Sequence, residues 1–233
     1  MAGLLASCSA SKEEFYDEPT YQYAFPAGYR VGETYTAIAT AFYLQTGRNY
    51  SDGFPYLKVN EKLCIADINN SLSVSGRVYC QFRILDKKPT SGIFWAEIDW
   101  YENVELGDDG LMVGGPPNTY IKIHDDGLDV IEDWMTSLED GFLTIHYSAW
   151  FGNSNVWHHL TLTPEDKENP LVLTLRHDAK GDEPLEKTDA LIYFDINDRS
   201  QYIDEEHSIV TIKWKTCAGQ PAEKKFLFKG RDF

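Results

Sequence analysis

A chain of 233 residues with 37 acidic and 21 basic side chains carries a formal net charge of −16 at pH 7. That excess of carboxylates speaks against nucleic acid, whose binding depends on neutralised phosphates, and against docking on an anionic bilayer through a basic face; its simplest consequence is solubility. A hydrophobic share of 42% suits one large or two small globular cores, and an aromatic share of 14% favours strands.

The chain starts MAGLLASC and continues SASKEE. Leu5-Ala6-Ser7-Cys8 has the pattern after which Gram-negative bacteria cut a lipoprotein and acylate the cysteine. Only seven residues precede Cys8, too few for the basic start and apolar stretch of a secretory signal. The expectation is that Met1–Ser7 is the remnant of a longer signal and that the mature chain begins at Cys8. Lys12-Glu13-Glu14 then has the pattern of an export signal toward the outer face of the outer membrane. Residues 9–32 show no periodicity; the first ten or so read as a tether and the rest as a strap along the first domain, so residues 1–32 are the expected signal remnant, lipid attachment site and tether or strap.

From Glu33 the pattern turns to period two. TYTAIATAFYL, FPYLKVN and KLCIAD are strand candidates, and GRVYCQFRIL is the clearest alternation of this half. In it Val78, Cys80, Phe82 and Ile84 share one face, and Arg77, Gln81 and Arg83 the other. In IFWAEIDWYENVEL the same rule groups Phe94, Ala96, Ile98 and Trp100 against Trp95, Glu97, Asp99 and Tyr101. About five short strands joined by tight turns fit an OB-like small barrel over residues 33–112, the expected fold, and would fit two packed sheets as well. GDDGLMVGGPPN (107–118) concentrates Gly, Asp and Pro and is the expected domain boundary.

Residues 116–233 read as an antiparallel β-sandwich, so the predicted fold class is all-β. YIKIH is its first strand candidate. DVIEDWMTSL carries Val130, Ile131, Trp134, Met135 and Leu138 on a helical stripe, which allows one short helix. A DG turn leads into FLTIHYSAWFG, with Leu143, Ile145, Tyr147 and Ala149 on one face. VWHHLTLTP, PLVLTLRHDAKGDEP, DALIYFDI, SIVTIKWKT and KKFLFKG follow, separated by polar turns in the manner of a meander.

The chemistry-bearing motifs searched for are absent: no G-x-S-x-G, H-E-x-x-H, P-loop or G-x-G-x-x-G occurs. Adjacent His158 and His159 on a strand face opposite ways, and His146 on the preceding strand is placed to pair with one of them across a hairpin. His124, His177 and His207 sit at strand ends as solvated or capping groups. Asp178 and Asp182 in RHDAKGD are either weak calcium candidates or turn residues capping backbone N–H groups. DINDRS reads as a turn. No cofactor is implied. Of the four cysteines, Cys8, Cys64, Cys80 and Cys217, none forms a C-x-x-C pair; Cys80 reads as a buried thiol and a disulfide framework is not expected. Trp95, Tyr101, Trp150 and Trp157 fall on or near the outer phase of their strands; they are either the candidate binding aromatics or rings covered by a second sheet or the neighbouring domain.

The second half resembles the NigD-like protein family. The matching positions are Asp129, Val130 and Trp134; Gly141, Phe142, Leu143 and Ile145; His159 and Leu160; Leu175, Arg176, His177, Asp178, Gly181 and Asp182; and Phe194 with Asp195. The resemblance implies a lipobox, an N-terminal OB domain and a C-terminal β-sandwich. It implies a bacteriocin-immunity association, from the operon that named the family, and carries no catalytic residues. Three functional expectations follow. The first is a non-enzymatic outer-membrane lipoprotein, facing periplasm or cell surface, that binds a bacteriocin or an envelope protein. The second is a carbohydrate-binding accessory lipoprotein whose partner is a glycan, and the third a hydrolase without a recognisable motif. Membrane association is expected only through the lipid at Cys8.

Overall fold

The computed structural model describes residues 26–44, 54–70, 72–74, 76–108, 125–153, 155–165, 168–204 and 208–231. Cys8, the segment Lys12–Glu14, YIKIH, His124, His207 and most of the 107–118 stretch therefore lie outside the described residues.

Period-two patterning builds the first unit. Its strands are β1 (Thr34–Leu44), β2 (Phe54–Asn60), β3 (Leu63–Asp67), β4 (Arg77–Ile84) and β5 (Ile93–Asn103). They close into a barrel in the order β1-β2-β3-β5-β4, with β4 pairing back onto β1. Closure leaves no open strand edge for another chain to extend. Val78, Cys80, Phe82 and Ile84 all point inward and are fully buried, as the alternation in β4 requires. Burial pushes the Cys80 thiol up to about 12, which makes it a packing group with little thiolate to react. Cys64, Cys80 and Cys217 are free thiols.

The alternation expected along β5 breaks midway. Gln81 pairs with Trp100 but Phe82 pairs with Ile98, so Asp99 is an extra residue on the β5 side. Such a bulge reverses the phase of every side chain beyond it. Trp100, expected inside, is therefore exposed. Tyr101, expected outside, packs against the barrel core instead.

The second unit comprises β6 (Glu105–Leu106), β7 (Asp129–Val130), β8 (Ser137–Glu139), β9 (Phe142–Phe151), β10 (His159–Pro164), β11 (Val172–Asp178), β12 (Glu186–Asp195), β13 (Ile209–Lys215) and β14 (Pro221–Leu227). One sheet has the order β10-β11-β13-β14 and the other β6-β12-β9-β7, with β8 also on β9. Leu143, Ile145 and Phe194 from one sheet meet Leu173, Leu175 and Ile212 from the other in a shared core. The chain reaches this unit between Asn103 and Glu105, since β6 already pairs with β12.

Three expectations are corrected. The sandwich is not a meander: the chain changes sheets after β9, β11 and β12, and two pairs, β11–β13 and β6–β12, are parallel. DVIEDWMTSL forms no helix. Asp133 accepts from the Met135 N–H, and the Thr136 hydroxyl bonds the Ile131 carbonyl, so local side-chain bonds replace helical ones. DINDRS contributes to a short 3-10 helix, Asn197–Tyr202.

A two-residue hairpin loop, Asp140-Gly141, joins β8 to β9, with Glu139 opposite Phe142. Both loop residues have positive φ, +52° and +70°, as the sequence DG predicts for this turn. Its tip docks on the barrel. The Thr40 hydroxyl donates to Asp140 Oδ2 at 2.8 Å, and Lys58 pairs with the same carboxylate. Arg77 lies beneath this contact, 1% exposed. Its guanidinium donates to Thr40 at 2.7 Å and Thr144 at 3.1 Å and pairs with Glu139 at 3.4 Å. Burial lowers its pKa, and Glu139 and Asp140 oppose that shift. Beside it Val104, Phe142 and Tyr193 form a small apolar seam between barrel and sandwich.

Candidate functional site

The seam leaves a cleft of about 470 Å³ where the barrel meets the outer face of the β9–β12 sheet. Across that pairing Leu191 stands opposite His146 and Asp189 opposite Ser148. His146, Ala190 and Leu191 line the sandwich side, and Tyr79, Glu102 and Glu105 continue the wall. The His146 ring nitrogen Nδ1 lies 2.8 Å from Asp133 Oδ2, and Nε2 lies 4.0 Å from Asp189. An aromatic row adjoins the cleft through Tyr79, which lines it. Tyr79 meets Trp100 edge-on with centroids 5.0 Å apart and approaches Trp134 at 6.4 Å. Trp134 belongs to the sandwich, and Tyr79 and Trp100 to the barrel. Trp134 is 58% exposed and Trp100 38%.

Neither tryptophan is visible as a surface residue in the sequence. Trp100 is displaced by the bulge at Asp99, and Trp134 lies in the segment whose helical stripe is not realised. The only signal was the polar stretch around Trp134, with Glu132 and Asp133 on one side and Thr136 and Ser137 on the other.

Of the four expected aromatics, Trp95 and Tyr101 are on the barrel, away from the other two. Trp95 is partly buried, stacked on Phe54 and covered by the Lys87 ammonium at 4.4 Å. The Tyr101 hydroxyl accepts from the Ser73 N–H at 3.2 Å. Trp150 and Trp157 are exposed, 44% and 77%. Trp150 borders a second cavity, of about 410 Å³, with Asp126, Gly127, His177 and Asp182.

This second cavity is built on a hydrogen-bonded chain. His177 Nδ1 lies 2.8 Å from the Gly127 carbonyl, and its Nε2 lies 2.8 Å from His158 Nδ1. His158 Nε2 in turn lies 3.1 Å from Asp182 Oδ2. Both ends of the chain accept hydrogen bonds. His158 and Asp182 side chains are 3% exposed and His177 is 2% exposed. His177 is thus buried, not a solvated strand end, and His158 pairs with it and not with His146, because β9 and β10 lie in different sheets. His159, pointing the other way, meets Asp108 at 3.4 Å on the surface. Desolvation lowers the His177 pKa, opposed by the Gly127 bond.

Asp182 also accepts from the Gly152 N–H at 2.7 Å and the Asn153 N–H at 2.9 Å. Those backbone donors, with His158, hold its carboxyl below the usual carboxylate range. Asp178 accepts from the Lys180 N–H at 2.8 Å and pairs with the Lys180 ammonium. Asp178 thus caps its own turn, and Asp182 caps the backbone of the loop that follows β9. Among the described residues, no group of three or more His, Cys, Asp or Glu is placed to hold a metal ion.

The model of the NigD-like C-terminal beta sandwich domain matches residues 112–228. The chain belongs to the NigD-like family. Solved structures agree with this family's fold. A NigD-like immunity protein from Bacteroides caccae is 19% identical, covering 88% of this chain and 99% of its own, with a TM-score of 0.53. A Parabacteroides distasonis protein provisionally described as toxin-related is 18% identical over 84% of this chain and 94% of its own, with a TM-score of 0.61. A Bacteroides fragilis protein provisionally described as a lipoprotein is 10% identical over 86% of this chain and 100% of its own, with a TM-score of 0.56. At these identities the likeness is one of fold. No curated protein matches the chain. Among the described residues, no helix is long and apolar enough to cross a membrane.

Proposed function

We propose that this NigD-like protein is a lipid-anchored protein of the bacterial envelope that acts by binding a protein partner, in a bacteriocin-immunity role, and not by catalysis. The observation that carries the reading is the aromatic row at the seam. Two large indoles stand in solvent on a rigid, closed β framework, and exposed aromatic side chains are the usual anchors of a protein interface. The lipobox Leu5–Cys8 supports the anchor, and the NigD-like immunity protein of similar fold supports the partner class. Anchoring on the outer membrane, facing periplasm or cell surface, follows from the same lipobox and the Lys12-Glu13-Glu14 segment.

Expression with a complete signal in a bacteriocin-sensitive Gram-negative strain tests this. Protection by the wild type, lost in Cys8→Ser, is the expected outcome; an unprotected strain with the protein present in its envelope sinks the immunity role. Protease treatment of intact cells separates surface from periplasmic display. Glycan binding is a second reading, favoured by Trp150 at the mouth of a cavity bordered by Asp126 and Asp182. A glycan array on which binding disappears in Trp150→Ala and Trp157→Ala would establish it.

A further inference from the structure

We infer that the cleft at the seam docks a cationic, aromatic-bearing polypeptide segment of the partner; this deepens the binding reading above and rests on it. The first observation is the row Trp100–Tyr79–Trp134, which neither unit completes alone. The second is the sign of the charge around it. Glu102, Glu105 and Asp189 line the cleft, and no lysine or arginine does. Among the described residues, none of these three carboxylates is in a salt bridge with a lysine or arginine; Asp189 meets only His146, at 4.0 Å. Lys224 on β14 is engaged by Glu132, two residues before Trp134, at 3.1 Å.

A cavity on the same seam provides the control. It is lined by Lys58, Lys62 and Lys229 together with Glu61, Glu139 and Asp140. There Lys58 pairs with Asp140, and Lys229 with Glu61 at 3.6 Å. Two of its three lysines are thus paired with its acids, whereas among the described residues no carboxylate of the aromatic cleft is salt-bridged to a lysine or arginine, and Lys187 reaches Asp189 only electrostatically. Indole faces beside carboxylates suit a lysine or arginine of the partner, which stacks on the ring while its charge meets the acid. An aromatic residue of the same segment fits the apolar floor of Ala190 and Leu191. A neutral sugar uses the rings but leaves the carboxylate charge unanswered, which decides for a polypeptide. The Arg77 contact holds the two walls together before the partner arrives, so little ordering is needed on binding.

The full chain should be panned against a phage-displayed library of short random peptides, and the selected peptides synthesised and titrated. The expected winners combine lysine or arginine with an aromatic residue. Their affinity should fall about ten-fold in Trp134→Ser and in the charge reversal Glu102→Lys/Asp189→Lys, and should weaken as salt rises. Melting temperatures of both variants should match the wild type. No selected peptides, winners without positive charge, or equal binding by Trp134→Ser overturns the inference, as does glycan binding lost in Trp134→Ser. The two proposals fail separately. Protection of cells that persists in both variants removes the cleft and leaves the immunity role. Cleft-dependent peptide binding without protection does the reverse.

Discussion

The two faces of the seam between barrel and sandwich are opposite in character. On one face Asp140, at the tip of a hairpin, receives Thr40 and Lys58, and Arg77 lies buried below with its donors distributed among Thr40, Thr144 and Glu139. On the other, Tyr79 lines a cleft with Glu102, Glu105 and Asp189, none of them salt-bridged to a lysine or arginine among the described residues, and Trp100 and Trp134 stand against Tyr79 beside it. Both faces use residues from both units. One satisfies its charges internally and therefore holds the molecule together. The other exposes apolar surface and negative charge, and is the face proposed to dock a partner.

The contrast predicts a graded set of effects. Arg77→Ala should be the most damaging. It leaves Glu139 without its buried partner and opens a void beneath the hairpin tip, so a loss of about 3–5 kcal/mol is expected in denaturant unfolding. A loss below about 1 kcal/mol would show that the polar face is not what joins the units.

Gly76→Ala comes next. Gly76 has φ +62°, and a Cβ there would lie 2.0 Å from the Tyr193 hydroxyl across the seam. Backbone strain alone costs about 1–3 kcal/mol, and Tyr193→Ala in the same chain should return part of the loss. If the double variant is no more stable than the sum of the two single ones, the close approach is not the cause.

A third test concerns the sandwich end. Burial keeps the folded His177 pKa below its ordinary 6.5. The unfolded chain therefore takes up a proton that the native chain resists, so stability is complete above that pH and falls as pH drops below it. His177→Gln should flatten the melting temperature between pH 7 and about 5; parallel curves would refute the assignment. Asp182 acts in a separate window: its depressed carboxyl contributes above the usual carboxylate range and loses that contribution only as pH falls through its lower folded value.

The smallest stability effect belongs to the open face. Trp134→Ser should change stability by less than about 0.5 kcal/mol, even though it is expected to weaken peptide binding. A substantial loss of stability would mean that Trp134 supports the fold and that the two faces do not differ as described.

Much of the frame was legible along the chain. The inward positions of β4 and β9, the DG turn at 140–141 and the cap at Asp178 all appear where local patterning places them, whereas Asp182 caps Gly152 and Asn153 on a distant loop. The candidate site was not. Trp95 and Tyr101 were expected outside, yet one is partly covered by Phe54 and Lys87 and the other turns toward the barrel core. Trp100 and Trp134 took their place. His158 and His177, separated by a change of strand, came together at the sandwich end, while His146 went to the cleft with Asp133.

The division has a physical basis. Amino-acid sequence alone determined what depends on neighbours a few positions away: strand periodicity, turn chemistry, the acidic charge and the family pattern. These rest on backbone dihedrals and on which face of a pleat a residue takes, and both are local. Tertiary structure decided whatever depends on a partner far along the chain. One unpaired residue at Asp99 reversed the phase of β5 and brought Trp100 to the surface. The packing of the sandwich over β4 buried Arg77, an outward-facing residue by its phase, and carried Tyr79 to within reach of Trp134, 55 positions away by their numbers. Pairing register and the docking of two units leave no periodic trace in either segment, so the charged, aromatic cleft they create exists only in the folded molecule.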